Sequence, residues 1–118
     1  MPVQEWSDDI LVVELNDDPQ FSDDMTAAVE AAESSPRHVV LNMSTVGFIN
    51  SSNIAKLLRL RKQLIGAQKR MILCGVTTQV WGVLMVTGLD KILEFTKDIA
   101  TALATVQLTP PKPKGSKG

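Results

Sequence analysis

Aromatic side chains are scarce in this chain, with two Trp, three Phe and no Tyr among 118 residues. The core must therefore be built from aliphatic side chains, and there is no platform of rings on which bases could stack. Nucleic acid is not an expected partner. Cysteine is scarcer still: Cys74 stands alone, so no internal disulfide can form. His38 is the single histidine and lies far upstream of Cys74, so the pair makes no metal cluster. Neither a G-x-G-x-x-G pattern nor a P-loop is present, which removes the usual cradles for nucleotide phosphates. No cofactor is expected. No apolar run approaches the roughly 18 residues needed to span a bilayer, so membrane insertion is not expected. Met1 to Asp9 is acidic and lacks the basic start of a secretory signal, which points to the cytoplasm.

What is present is the balance of an ordinary globular domain, 44% hydrophobic and 21% charged. The charges are segregated. All the acids up to Glu33 precede the first base, Arg37, and only Asp90, Glu94 and Asp98 follow it. Either the surface is polarised toward a charged partner, or the two halves neutralise each other across the fold. The second is the plainer reading.

Hydrophobic periodicity sets the elements. Val3 to Trp6 reads as an edge strand, joined through Ser7-Asp8-Asp9 to the aliphatic strand Ile10 to Leu15. Asn16 to Pro19 is a turn. A helix follows over Phe21 to Ser34, with Ser22 as its expected N-cap and Met25, Ala28, Val29 and Ala32 at helical spacing. His38 to Met43 is a buried-type strand. A longer helix starts at Asn50 or Ser51 and runs to Ile65, where Gly66 is the expected stop. Its expected inner face is Ile54, Leu57, Leu58, Leu64 and Ile65, with the Arg61 stem packed beside them; Lys56, Arg59 and Lys62 lie opposite. Then come a strand over Met71 to Cys74, a helix over Thr78 to Val86 containing Trp81, a strand over Ile92 to Phe95, and a helix over Lys97 to Val106. The order β-β-α-β-α-β-α-β-α predicts an α/β domain over residues 1–108, with a mixed sheet of four or five strands and about four helices. Residues 109–118, rich in Pro and Lys, are expected to form a disordered tail.

Little in the sequence suggests catalysis. Ser51, His38 and an acid would make a hydrolase triad, but no G-x-S-x-G elbow is present. A phosphate-accepting receiver domain needs an Asp where the strand ends in Asn42, and an amide forms no acyl phosphate. The informative stretch is Val46 to Leu58, VGFINSSNIAKLL. The plain reading of Asn50-Ser51-Ser52 is a helix cap. The same place also suits a phosphoryl group, because the first amides of a helix are unpaired and carry partial positive charge.

The segment VVLNMSTVGFINSSNIAKLL resembles the centre of STAS domains, the family of bacterial anti-sigma factor antagonists. These typically show an aliphatic strand, a turn, then Phe-aliphatic-Asp-Ser-Ser/Ala-Gly and an apolar helix. Thr87-Gly88-Leu89-Asp90-Lys91-Ile92-Leu93 resembles their closing segment. The resemblance covers roughly residues 8 to 107 and implies a single STAS-like domain. It further implies a partner that is both anti-sigma factor and serine kinase, and a phosphatase that resets the cycle. Ser51 is the implied phosphorylation site, with Ser52 next. Asn50, Ser51, Ser52, Asn53, Lys56 and Arg59 are the implied partner-binding residues, and a homo-oligomer is compatible with it. Two positions depart from the family pattern: Asn50 replaces its Asp, and Asn53 its Gly. They leave room for a STAS subunit that does not switch, such as the small component of a lipid-transport ABC system or a stressosome scaffold.

Overall fold

The computed structural model describes residues 3–108; the expected tail at 109–118 lies outside the described residues. The elements are β1 (Val3–Ser7), β2 (Ile10–Asn16), α1 (Gln20–Ser34), β3 (His38–Thr45), α2 (Ser51–Gly66), β4 (Met71–Cys74), α3 (Thr78–Val86), a single 3-10 turn at Leu89–Lys91, β5 (Glu94–Thr96) and α4 (Ile99–Leu108). The five strands form one sheet in the order β1-β2-β3-β4-β5. β1 pairs antiparallel with β2, and every later pair is parallel. The expected α/β class and element order hold.

Alternation along the strands decides which side chain meets which layer. Leu11, Val13 and Leu15 of β2, Val39, Leu41 and Met43 of β3, and Met71 and Leu73 of β4 face the layer made by α1, α2 and α3. Ile10, Val12, Val40, Ile72 and Cys74 point the other way, toward Ala102 and Val106 of α4. Both faces are covered, so β2, β3 and β4 read as continuous aliphatic runs rather than as alternating ones.

Several boundaries differ from the sequence expectation, each for a local reason. α1 begins at Gln20 with Pro19 in the capping position. Ser22 is not the N-cap; its amide and hydroxyl both donate to Asp18 Oδ1, at 2.9 and 2.7 Å. Asp18 therefore supplies the acceptor that Ser22 was expected to offer. The buried residues of α2 are Asn53, Leu57, Leu60 and Leu64. Ile65 is 48% exposed, while Ile54, Leu58 and Arg61 flank the stripe half-buried. α2 does not stop by a left-handed Gly66. Gln68 takes the positive φ of 62°, and the Lys69 amide closes the end by donating to Leu64 O at 2.8 Å, the hydrogen-bond pattern of a Schellman ending. The last strand is Glu94–Thr96 rather than Ile92 to Phe95, because Leu89–Lys91 winds into the 3-10 turn and leaves Ile92 outside the ladder. α4 starts at Ile99, not Lys97, since Asp98 caps it by accepting from the Thr101 amide at 2.8 Å. Trp81 is half-buried and meets Phe95 edge-on, with centroids 4.9 Å apart.

Candidate functional site: the loops at the C-terminal ends of the parallel strands

Four parallel strands end at one edge of the sheet, and the loops that leave three of them, β2, β3 and β4, are tied together there. Thr45 Oγ1 donates to Leu15 O at 2.7 Å, joining the end of β3 to β2. Asp17 Oδ1 accepts from the amides of Gly47 and Phe48, at 2.9 and 3.3 Å. Thr77 Oγ1 donates to Val46 O at 2.9 Å, joining the loop after β4 to the same segment. In open α/β sheets this edge is where ligands and partners are usually met. The loop from Val46 to Asn50 is thus held from both sides, and it delivers α2 in a fixed position.

The start of α2 is a closed capping box. Asn50 is extended, with φ −117° and ψ 179°. Its Oδ1 accepts from the Asn53 amide at 2.8 Å, and Asn53 Oδ1 accepts from the Asn50 amide at 3.0 Å. Two of the helix-start donors are satisfied reciprocally. The remaining side-chain group of Asn53 reaches further: Nδ2 donates to Asp18 Oδ2 at 2.9 Å. A glycine at 53 makes none of these side-chain contacts. The hydrogen bonds from Asn53 and Ser22 hold the Asp18 carboxyl below its usual range. With Asn at 50, Asp18 is the carboxylate bonded directly to the helix start.

The sequence-expected residues fall on both sides of this cap. Asn50, Ser51, Ser52 and Arg59 are exposed and Lys56 is half-buried. Asn53 is only 2% exposed, so its side chain serves the cap and the Asp18 contact rather than the surface. Lys56 Nζ donates to Ser52 Oγ at 3.0 Å. Ser51 is the first helical residue, and among the described residues its hydroxyl has no hydrogen-bond partner. Phe48, 65% exposed, projects from the same loop. Sequence reasoning missed Asp17, Asp18 and Phe48 as parts of this site. The run Asn16-Asp17-Asp18-Pro19 signals only a turn, and its contacts to residues about thirty positions away carry no local signature.

His38 takes no part. Its Nδ1 accepts from the Arg70 amide at 3.0 Å, and Nε2 faces Asp9 at 3.5 Å. It begins β3, while Ser51 lies beyond the other end of that strand. Eight residues of strand separate the two by more than about 20 Å, so no Ser51–His38 pair exists. Cys74 is fully buried, and burial pushes its thiol up to about 11, which leaves it unreactive at neutral pH. Among the described residues no cluster of metal-ligating side chains occurs, and no helix is long and apolar enough to cross a membrane.

Known structures share this fold. An anti-sigma-factor antagonist (STAS) domain protein from Planctomyces limnophilus superposes with a TM-score of 0.77 at 22% identity, over 89% of this chain and 96% of that one. SpoIIAA in its unphosphorylated form gives 0.76 at 16% identity, over 89% and 94%. A sulfate transporter family protein from Wolinella succinogenes gives 0.72 at 20%, over 84% and 85%. At these identities the likeness is one of fold. The family model for the STAS domain matches residues 5–102, nearly the whole described domain, and the chain belongs to the STAS domain family.

Proposed function

We propose that this domain is an anti-sigma factor antagonist acting in the cytoplasm, switched by phosphorylation of Ser51. It docks on an anti-sigma factor that is also a serine kinase, and a phosphatase restores the docking form. The observation that carries this reading is the difference between the two serines. Ser51 is exposed, first in its helix and free at its hydroxyl, whereas the Ser52 hydroxyl is engaged by Lys56. SpoIIAA, which shares the fold, exists in both phosphorylated and unphosphorylated forms.

The physical effect of the modification is local. A phosphoserine adds a charge of about −1.5 to −2 at neutral pH. The helix start tolerates that charge, so the domain itself stays folded. The docking surface around Phe48, Asn50 and Ser51 changes from nearly neutral to anionic, with Asp18 already negative beside it. A partner surface matched to the neutral form is then repelled.

The test is incubation with candidate anti-sigma kinases and ATP, with the phosphosite mapped by mass spectrometry and Ser51→Ala as control. Phosphate at Ser51, absent in the variant, with loss of binding to the kinase on modification, is the expected result. A second reading has its own observation. Asn50 removes the family's negative charge beside the acceptor, and Asn53 turns inward to lock the loop, as suits a permanently docked subunit. The fold shared with a sulfate transporter family protein is compatible with that role. No phosphate at Ser51 with any kinase, together with stable binding to a transporter or scaffold, decides for it.

A further inference from the structure

Between α1 and α2 lies an open groove of about 380 Å³. Met25, Val29 and Ala55 give it an apolar floor; Glu30 and Glu33 stand on the α1 wall, Lys56 and Arg59 on the α2 wall. Glu30, Glu33 and Arg59 are exposed. Among the described residues no ion pair crosses the groove. At the edge where the strands begin the charges are paired: Glu5 with Arg37 at 2.8 Å, and Asp9 with Lys69 at 3.0 Å. The groove thus keeps an acidic wall and a basic wall side by side with their charges unspent on each other.

We propose that this face binds a second copy of the chain, around a two-fold axis running along the groove. A two-fold contact must be self-complementary. α1 and α2 each connect parallel strands, so both run back across the sheet in the same direction, side by side. A half-turn about an axis parallel to them lays α1 of one copy over α2 of the other. Glu30 and Glu33 of each copy then meet Lys56 and Arg59 of the second copy, twice over, and the apolar floors face each other. A two-fold axis across the helices sets acid over acid and base over base, which like-charge repulsion disfavours. Helices of 15 and 16 residues present a face of about 22 by 20 Å. That is well below the roughly 800 Å² per partner of a standard interface, so the pairing is weak and sensitive to concentration and salt. Ser52, Lys56 and Arg59 are also among the partner-binding residues that the family resemblance implies, so on that reading pairing and partner docking compete. The measurement of pairing needs no partner and stands apart from that reading.

Sedimentation equilibrium of the full chain from about 10 µM to about 1 mM tests this. The mass is expected to rise from 12.9 kDa toward twice that value. It is expected to fall back in about 1 M NaCl, where charges are screened beyond about 3 Å. Glu30→Lys/Glu33→Lys and Lys56→Glu/Arg59→Glu each put one sign on both walls, and each should weaken self-association at least about tenfold. Mixed together, the two variants should form a heterodimer, because every wall then meets its opposite. Circular dichroism establishes that both are folded. A wild-type mass of one protomer throughout, self-association unaffected by both reversals, or no heterodimer from two folded variants each overturns the proposal.

Discussion

Asn53 illustrates how one side chain ties distant segments together. Its three polar contacts join the cap of α2 to a loop 35 positions earlier. Asn53→Ala removes all the side-chain contacts while favouring helix, and is expected to cost about 1 kcal/mol in urea unfolding. Asn50→Asp keeps a capping oxygen and is expected to change stability by no more than about 0.5 kcal/mol. Equal effects of the two would show that the Asn53–Asp18 contact contributes nothing. His38 gives a pH dependence with a definite sign. Burial holds its imidazole below the ordinary value of 6.5, against an opposing pull from Asp9. The unfolded chain therefore takes up the proton first, so the stability owed to neutral His38 is complete above about pH 6.5 and is lost as pH falls through the lower folded value. Urea midpoints measured from about pH 7 to pH 5 should decline in the wild type and less in His38→Gln, whose amide oxygen can still accept from Arg70. The carboxyls of Asp9, Asp18 and Asp98 lie below 3.8, so their contribution is lost only at more acid pH.

At the scale of elements, the least legible feature was the rotation of α2. Periodicity admits two neighbouring stripes, one through Ile54, Arg61 and Ile65 and one through Asn53, Leu57, Leu60 and Leu64. The sequence expectation puts Ile54, Leu58 and Ile65 inward together with Leu57 and Leu64, and leaves Leu60 out. The structure takes the second, because Asn53 turns inward to Asp18 and Gln63 Nε2 donates to Val29 O of α1 at 3.1 Å. Leu60→Ala is accordingly expected to cost about 2–5 kcal/mol, as for a fully buried Leu. Ile65→Ala, on the exposed flank, should cost less than about 1 kcal/mol. Urea unfolding of the pair checks the register; the reverse order of effects would place Ile65 in the core. The strands were more legible than the helices. β2, β3 and β4 are aliphatic runs bounded by turn residues, and a strand buried on both faces leaves few other readings. β5 was misplaced because the apolar pair Ile92-Leu93 stands just before it, whereas β5 itself, Glu94–Thr96, holds one apolar residue, Phe95.

For the molecule as a whole, β4 is paired on both sides, by β3 and β5, and Cys74 at its end has no exposed surface. Its thiol, raised to about 11, is expected to label with a disulfide reagent only when the sheet opens. At neutral pH the labelling rate should fall at least about a thousandfold below that of the unfolded chain and track the global unfolding free energy across a urea series. Rapid labelling in native buffer would mean that this edge opens locally. The segregation of charge along the chain also resolves at this scale. Near the strand starts the early acids meet later bases, as in Glu5–Arg37 and Asp9–Lys69. Along α1 and α2 they stand on opposite walls without pairing. The neutralising reading of the asymmetry is thus met by the pairs near the strand starts, while the charges across the groove stay unpaired.

The sequence by itself determined the α/β class, the order of elements and the position of the Asn50-Ser51-Ser52 cap. These follow from short-range terms: the period of apolar residues, the chemistry of turns, and the preference of Asn and Ser for helix starts. Tertiary structure alone decided that Asn53 points inward and that Asp17 and Asp18 hold the loop and the helix start that follow β3, with His38 left at the far edge. Each of these depends on groups far apart in the chain being brought to one edge of a sheet. Local propensity carries no information about such partners, because the geometry that selects them exists only after the strands have paired.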